Sequence, residues 1–355
     1  MVQSILYATI LSKTENKGEQ MGPAVSQAII MVGGKGTRLR PLTEEIPKPL
    51  LPVLGVPCLE YVIKSIADAG IKEIILACGY KSQKINDIIG NGERFGIQIS
   101  YAYEEHPAGT AGAVKLLEDR VDQRFLVASG DVLADVNIAD MVKTHERGEA
   151  MATMALTEVD EPTEFGIVGI DEGMSIIRFK EKPKEDEVFS KLINAGVYVI
   201  ERDVLSLIPK DTMFDFSKDL FPLMLSKGVP LKGHIIDGFW MDIGRPLDLL
   251  KANLEMARIK GHRIHEDVEI DDESSLTETV VLGRSFIKGS KIKNSVIHPF
   301  VKTEGAVIEN SLVMDGAEIS AGSTIRNSIL GVSSRVGEGV MLENAVVANR
   351  QRISL

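Results

Sequence analysis

Apolar and polar positions alternate in two different ways along this 355-residue chain. From Ala28 to about Ile259, short continuous apolar runs take turns with helical stripes. "AIIMV" (28–32), "EIILACG" (73–79) and "RFLVASGD" (124–131) predict buried strands. In "PCLEYVIKSIADAG", Leu59, Val62, Ile63, Ile66 and Ala67 follow the i, i+3, i+4, i+7, i+8 stripe, with Pro57 at the start and Gly70 at the stop. A further helix is expected over Leu247–Arg258. Strands alternating with helices predict an α/β fold, Rossmann-like, with a mostly parallel sheet and helices on both faces. Ligands bind such sheets beyond the carboxyl ends of the strands, where "GGKGTR" and Gly130-Asp131 fall.

Past Gly261 the period changes. "IKNSVI", "IENSLV", "IRNSIL" and "LENAVV" recur with asparagines at 294, 310, 327 and 344, and "TETVV" (277–281) is a degraded earlier copy. Apolar residues also pair six apart, as Val281–Ile287, Val301–Val307, Ile319–Ile325 and Val336–Leu342. So short a period predicts stacked coils, none able to bury its apolar edge alone. The pattern resembles a C-terminal left-handed parallel β-helix of hexapeptide-type coils. The expected organisation is an N-terminal extension over 1–27, disordered or loosely docked, an α/β domain over 28–260 and a β-helix over 266–355.

Composition narrows the partners. A net charge of −11 argues against nucleic acid. No apolar run approaches the roughly 20 residues that span a bilayer, and "ILYATIL" lacks the basic flank of a signal peptide. Cys58 and Cys78 are too few for a disulfide framework or a cysteine zinc site, and a reducing cytoplasm is expected. His262 and His265 follow no zinc spacing, and His298 is expected to be a solvated turn residue.

Against this acidic background, "MVGGKGTRLRPLTEEIPKPLLPVLGVP" (31–57) concentrates cations on glycine- and proline-rich backbone. It is not a Walker A loop, because Gly36 follows Lys35, nor a dinucleotide fingerprint, because Leu39 stands where the third glycine belongs. A glycine turn after a strand still lets backbone N–H groups approach an anion, and Arg38 and Lys48 add charge.

This stretch, with "EEHPAGTAGAV", "SGD", "FGIVGI", "EKP", "INAGVY" and "GFWMDIGRPLD", closely resembles the sugar-1-phosphate nucleotidylyltransferases, in look most of all the mannose-1-phosphate guanylyltransferases. Departures are small: Val32 for alanine, Ser129 for asparagine and Phe165 for tyrosine. The resemblance implies condensation of a nucleoside triphosphate with a sugar 1-phosphate. Gly33, Gly34, Lys35, Gly36, Thr37, Gly109 and Thr110 would bind the nucleotide, and Glu104 would read its base. Arg38 and Lys48 would hold phosphates, Lys182 the phosphate of the sugar, and Asp131 with Asp242 Mg²⁺. Gly166, Glu181, Asn194 and Gly196 would line the sugar. Glu104 favours guanine, whose N1–H and 2-amino donors a carboxylate can accept together; relatives using uracil or thymine often carry glutamine there. GTP with mannose 1-phosphate is therefore expected, with UTP or dTTP and glucose 1-phosphate as the alternative. Two other readings are a non-catalytic nucleotide-binding subunit and a second, acyltransferase activity in the β-helix. The β-helix is expected to mediate homo-oligomerisation, and Trp240 to be a core residue beside Asp242.

Overall fold

The computed structural model describes residues 25–79, 82–104 and 106–355. All but the last three residues of the expected N-terminal extension lie outside these. Compact units end and begin at Leu249 and Leu250.

Among the described residues of the first unit, thirteen strands run from β1 (Gln27–Met31), through the two-residue pairs β2 (Pro52–Val53) and β3 (Val56–Pro57), to β4 (Glu73–Cys78), β5 (Gln98–Tyr103), β6 (Arg124–Ser129) and β7 (Val132–Ala134). They continue with β8 (Ala152–Glu158), β9 (Gly166–Ile170), β10 (Ile176–Glu181), β11 (Leu192–Glu201), β12 (Leu231–Ile235) and β13 (Trp240–Asp242). Nine of them form one mixed sheet, with the path β10-β9-β11-β6-β1-β4-β5 and with β8 joining β11 to β12. β1 lies parallel to both β4 and β6, and β5 is parallel to β4. β11 turns the sheet antiparallel, pairing that way with β6, β8 and β9.

The apolar runs behave as buried strands do, sending alternate side chains to opposite faces. Ala28 and Ile30 enter one core with Leu59, Ile63 and Ile66, while Ile29 enters the other with Phe125 and Ala111. Among the described residues, six α-helices flank or follow the sheet: α1 (Cys58–Asp68), α2 (Ser82–Ile89), α3 (Gly109–Lys115), α4 (Ile138–Arg147), α5 (Phe221–Ser226) and α6 (Pro246–Lys260). α1 buries the stripe expected of it, Leu59, Val62, Ile63 and Ile66. Strand order reverses between β1 and β6, which places the crevice at their carboxyl ends.

The second unit stacks three sheets of short parallel strands, with six, five and five strands. Register holds through every coil: Ile292, Ile308, Ile325 and Leu342 stack in one sheet, and Ile297, Val313, Leu330 and Val347 in another. This is the β-helix the repeats announced. The repeated asparagines 294, 310, 327 and 344 have φ of 42°, 47°, 47° and 52°, a left-handed turn that asparagine tolerates better than most residues. The serines that follow the first three bond between coils. Ser295 Oγ donates to the Lys293 carbonyl at 2.7 Å and accepts the Ser311 N–H at 3.1 Å.

One expectation is corrected here. His298 is not solvated but fully buried, with Nδ1 2.8 Å from Asp315 Oδ1. Its backbone is held in the stack: its N–H donates to the Val313 carbonyl at 2.8 Å and its carbonyl accepts the Ser285 hydroxyl at 2.9 Å. No helix among the described residues is long and apolar enough to cross a membrane.

Candidate active site

The crevice is built from four parts of the chain, two loops and two groups of strands. The first leaves β1 at Val32, whose N–H donates to the Ala77 carbonyl at 2.9 Å, and turns through Gly33 to Gly36. Gly36 has φ 61°, and a Cβ there would lie 3.0 Å from Lys48 Cβ and 3.1 Å from Thr43 Cγ2. Thr43 Oγ1 donates to the Gly36 carbonyl at 2.7 Å, closing the turn. The bare backbone therefore lets Lys48 pack against the glycine loop. Gly34, Lys35, Thr37 and Arg38 are exposed to solvent.

Asp131 and Asp242, 111 positions apart in the chain, are joined by a two-stranded ribbon. β7 pairs antiparallel with β13, setting Asp242 opposite Val132, and the Ile243 N–H donates to the Asp131 carbonyl at 3.1 Å. Lys48 Nζ bonds Asp131 and stands 3.7 Å from Asp242 Oδ1, and it is only 12% exposed. Burial opposes the charge on Lys48, but the two aspartates outweigh it and raise its pKa. Burial pushes the Asp242 carboxyl up to about 6, with Asp131 adding to the rise and Lys48 opposing it.

Glu104 lies over the glycine turn, and a Cβ on Gly33 would sit 3.6 Å from its Oε1. Its Oε2 accepts the Ala108 N–H at 3.3 Å. Burial raises its pKa against that hydrogen bond. Gly109 has φ 75° and opens α3; the N–H groups of Ala111 and Gly112 both donate to the Phe214 carbonyl at 2.9 Å. The Thr110 hydroxyl is engaged by protein, 3.3 Å from Asp215 Oδ1 and accepting the Phe216 N–H at 2.9 Å.

The remaining group gathers on β9, β10 and β11. Glu181 pairs in register with Gly166, where a Cβ would fall 2.8 Å from Glu181 Oε2. Burial raises the pKa of Glu181, with Lys182 and Lys218 opposing. Asn194 spends its amide within the protein. Its Nδ2 donates to Tyr198 Oη (2.9 Å) and Ser217 Oγ (3.1 Å), and its Oδ1 accepts the Gly196 N–H (2.9 Å). It thus braces the bulge at Gly196, where φ is 78°. Lys182 is exposed, at φ 44°. Trp240 is half-buried against the core, donates Nε1–H to the Ala195 carbonyl at 3.0 Å, and meets Phe165 edge-on at 5.3 Å.

Arg38, Lys48, Asp131 and Asp242 thus converge at one end, Glu104 and Gly109 mark a second wall, and Gly166, Glu181, Asn194 and Gly196 a third. Sequence reasoning passed over Glu164 and Arg245, which join the first group, and Asp215 and Ser217, which brace the other two. Arg245 stood in plain view inside "GFWMDIGRPLD"; its charge could have been noted, but not its partner.

Comparison with known proteins decides what this arrangement belongs to. A family model described as nucleotidyl transferase matches residues 27–259, and a GlmU-like C-terminal hexapeptide model matches 263–354. The chain belongs to the nucleotidyl transferase family. A relative from Mycobacterium tuberculosis, a mannose-1-phosphate guanylyltransferase, is 33% identical over 83% of this nucleotidyl transferase and 81% of its own length. The catalytic subunit beta of a Danio rerio mannose-1-phosphate guanylyltransferase is 34% identical over 90% of each chain. A Synechocystis UTP–glucose-1-phosphate uridylyltransferase is 29% identical over 84% and 85%. Among solved structures, a putative glucose-1-phosphate thymidylyltransferase from Bacillus anthracis, in complex with a sucrose, aligns with TM-score 0.60 at 27% identity, over 68% of this chain and 97% of its own. HddC from Yersinia pseudotuberculosis, complexed with GMP-PN, aligns with TM-score 0.57 at 26% identity, over 65% and 100%.

Proposed function

We propose that this nucleotidyl transferase condenses GTP with mannose 1-phosphate, giving GDP-mannose and pyrophosphate. The observation that carries the reading is the buried Lys48 ammonium between two carboxylates, set against a glycine turn walled by Glu104. An oxygen of the sugar phosphate, already ionised near neutral pH, attacks the α-phosphorus. The bond from that phosphorus to the bridging oxygen of the β-phosphate breaks, and pyrophosphate leaves with the electron pair. No general base is needed, so the protein's work is positioning and charge neutralisation. In this reading Gly33 to Thr37 present N–H groups to the triphosphate, with Arg38 and Lys48 holding its phosphates. Lys182 holds the phosphate of the sugar, whose hydroxyls meet Gly166, Glu181 and Gly196, the wall that Asn194 braces from within the protein.

A divalent cation fits the donor set. No group of three potential metal-ligating side chains converges among the described residues. A pair of carboxylates that leaves the other positions to water and substrate oxygens suits Mg²⁺. Asp131 and Asp242 would hold it, and it would supply further neutralisation of phosphate charge.

For the base, Glu104 faces Gly33 with an oxygen that does not take the Ala108 N–H, and two relatives above 30% identity are named for guanylyl transfer to mannose 1-phosphate. The Synechocystis relative supports the second reading, UTP with glucose 1-phosphate. Pyrophosphate release measured with GTP, UTP, dTTP and ATP against both sugar phosphates separates the two. A GTP–mannose maximum that Glu104→Gln erodes supports the first reading, and a UTP–glucose maximum overturns it. Release with no pair overturns nucleotidyl transfer to these sugars. The β-helix in this reading joins copies of the chain, and a monomer in light scattering at micromolar concentration refutes that role.

A further inference from the structure

Two guanidinium groups share one carboxylate at the rim of the phosphate end of the site. Arg245 Nη2 lies 2.9 Å from Glu164 Oε2, and Arg38 Nη1 lies 3.7 Å from the same oxygen. The three side chains are 53%, 50% and 49% exposed for Arg245, Arg38 and Glu164. The backbone that carries Arg245 is firmly placed. Its N–H donates to Asp248 Oδ2 at 2.7 Å, and Pro246 begins α6 directly after it. The preceding Gly244 fills the space between the two chemistries: a Cβ there would sit 2.9 Å from Asp242 Oδ2 and 3.4 Å from Arg38 Nη2. Arg245 therefore stands on the short loop between Asp242, at the end of β13, and α6, and its head group converges with that of Arg38 on Glu164.

Two like charges drawn around a single oxygen repel each other unless an anion sits between them. Glu164 serves as that anion, but it is a weak holder: half-exposed ion pairs are screened by water and exchange readily. The tail of a nucleoside triphosphate brings several charges, and its oxygens match the guanidinium fork in pairs. We propose that Arg245 is a second phosphate-holding residue, which takes the β- and γ-phosphates beside Arg38, and that Glu164 is the resident anion the nucleotide displaces. This inference rests on the nucleotidyl-transfer reading above.

The two roles open to Arg245 make opposite statements about Glu164. If the pair only ties two loops together, removing either partner loosens the same structure and weakens every substrate alike. If Glu164 competes with phosphate, removing its charge helps phosphate to bind. Titration calorimetry with inorganic pyrophosphate and Mg²⁺, on the full chain, distinguishes these. Arg245→Ala should raise the Kd for pyrophosphate about tenfold, the size expected for one hydrogen-bonded charge, and Arg245→Lys should raise it less, because the fork is lost but the charge is kept. Glu164→Gln should lower it. In turnover, the KM for the triphosphate should follow the same order, while the KM for the sugar phosphate stays put. An unchanged pyrophosphate Kd in Arg245→Ala overturns the proposal. So does a Glu164→Gln variant that binds pyrophosphate as poorly as Arg245→Ala, or a wild-type chain that binds none. If pyrophosphate follows the expected order but no sugar phosphate is turned over, the reaction assignment fails and the phosphate-holding role of Arg245 stands.

Discussion

Replacing Gly109 with alanine tests whether the entry to α3 positions Glu104, the side chain proposed to read the base. At φ 75°, an alanine costs about 1–2 kcal/mol for the left-handed conformation alone. Its Cβ would also fall 2.7 Å from the Phe214 carbonyl oxygen and 2.9 Å from Phe214 C and N, which are backbone atoms and cannot rotate away. Forcing such a contact apart costs a further 1–3 kcal/mol or so. A total near 3 kcal/mol lowers the melting temperature by roughly 6–12 °C in a domain of this size. Gly228→Ala is the control: its φ is 66°, but nothing lies within 4 Å of the added Cβ. It should lose only the conformational part, about 2–8 °C. The functional consequence follows from what the Phe214 carbonyl holds. It accepts the Ala111 and Gly112 N–H groups, the Phe214 N–H donates to the Ala108 carbonyl at 2.8 Å, and Glu104 accepts the Ala108 N–H. Pushing that clasp open should shift Glu104 and raise the KM for the triphosphate about tenfold, the loss of one charge-assisted contact, leaving the sugar phosphate little affected. Thermal melting and initial rates on both variants check this. If Gly109→Ala melts no lower than Gly228→Ala, the steric reasoning is wrong. If both substrates weaken equally, Glu104 is not what the clasp positions.

Lys48→Met should cut kcat by about 10²–10³, the usual loss of one preorganised cation at a developing charge, with the fold retained as judged by circular dichroism. Full activity would remove Lys48 from the machinery. Burial holds the pKa of His145 below its ordinary value, despite hydrogen bonding to Glu201, with the nearby Arg124 also lowering it. The unfolded chain therefore takes up this proton first, so stability is present above about pH 6.5 and is lost as pH falls through it. Asp242, raised to about 6, acts with the opposite sign. It is common to wild type and His145→Gln, so the loss of melting temperature between pH 7.5 and 5.5 should be smaller in the variant. An equal or larger loss contradicts the sign. In the β-helix, Asn327→Ala at φ 47° should cost about 1 kcal/mol while Asn327→Gly costs far less. Equal urea midpoints for the two would show that the side chain, not the backbone angle, matters.

Periodicity alone was enough for the parallel core of the sheet, for α1 with its buried stripe, and for the coils, because burial of repeating apolar positions is a local pattern that each element carries in itself. The asparagine spacing marked the coils, but that these asparagines take the left-handed backbone angle of their corners came only from the structure. The concentration of glycine, lysine and arginine after β1 likewise pointed to phosphate chemistry before any coordinates, because the residue types required to admit and neutralise a polyphosphate are few. What sequence could not contain was proximity. Asp131 and Asp242 become one feature only when β7 pairs with β13, and the buried Lys48 between them acquires its charge balance only there. The antiparallel half of the sheet, the bracing of Asn194 by Tyr198 and Ser217, and the burial of His298 all come from contacts between segments distant in the chain. Glu164 and Arg245 show the same limit. Each is an unremarked surface charge in the sequence, and only the fold brings both, with Arg38, to a single oxygen.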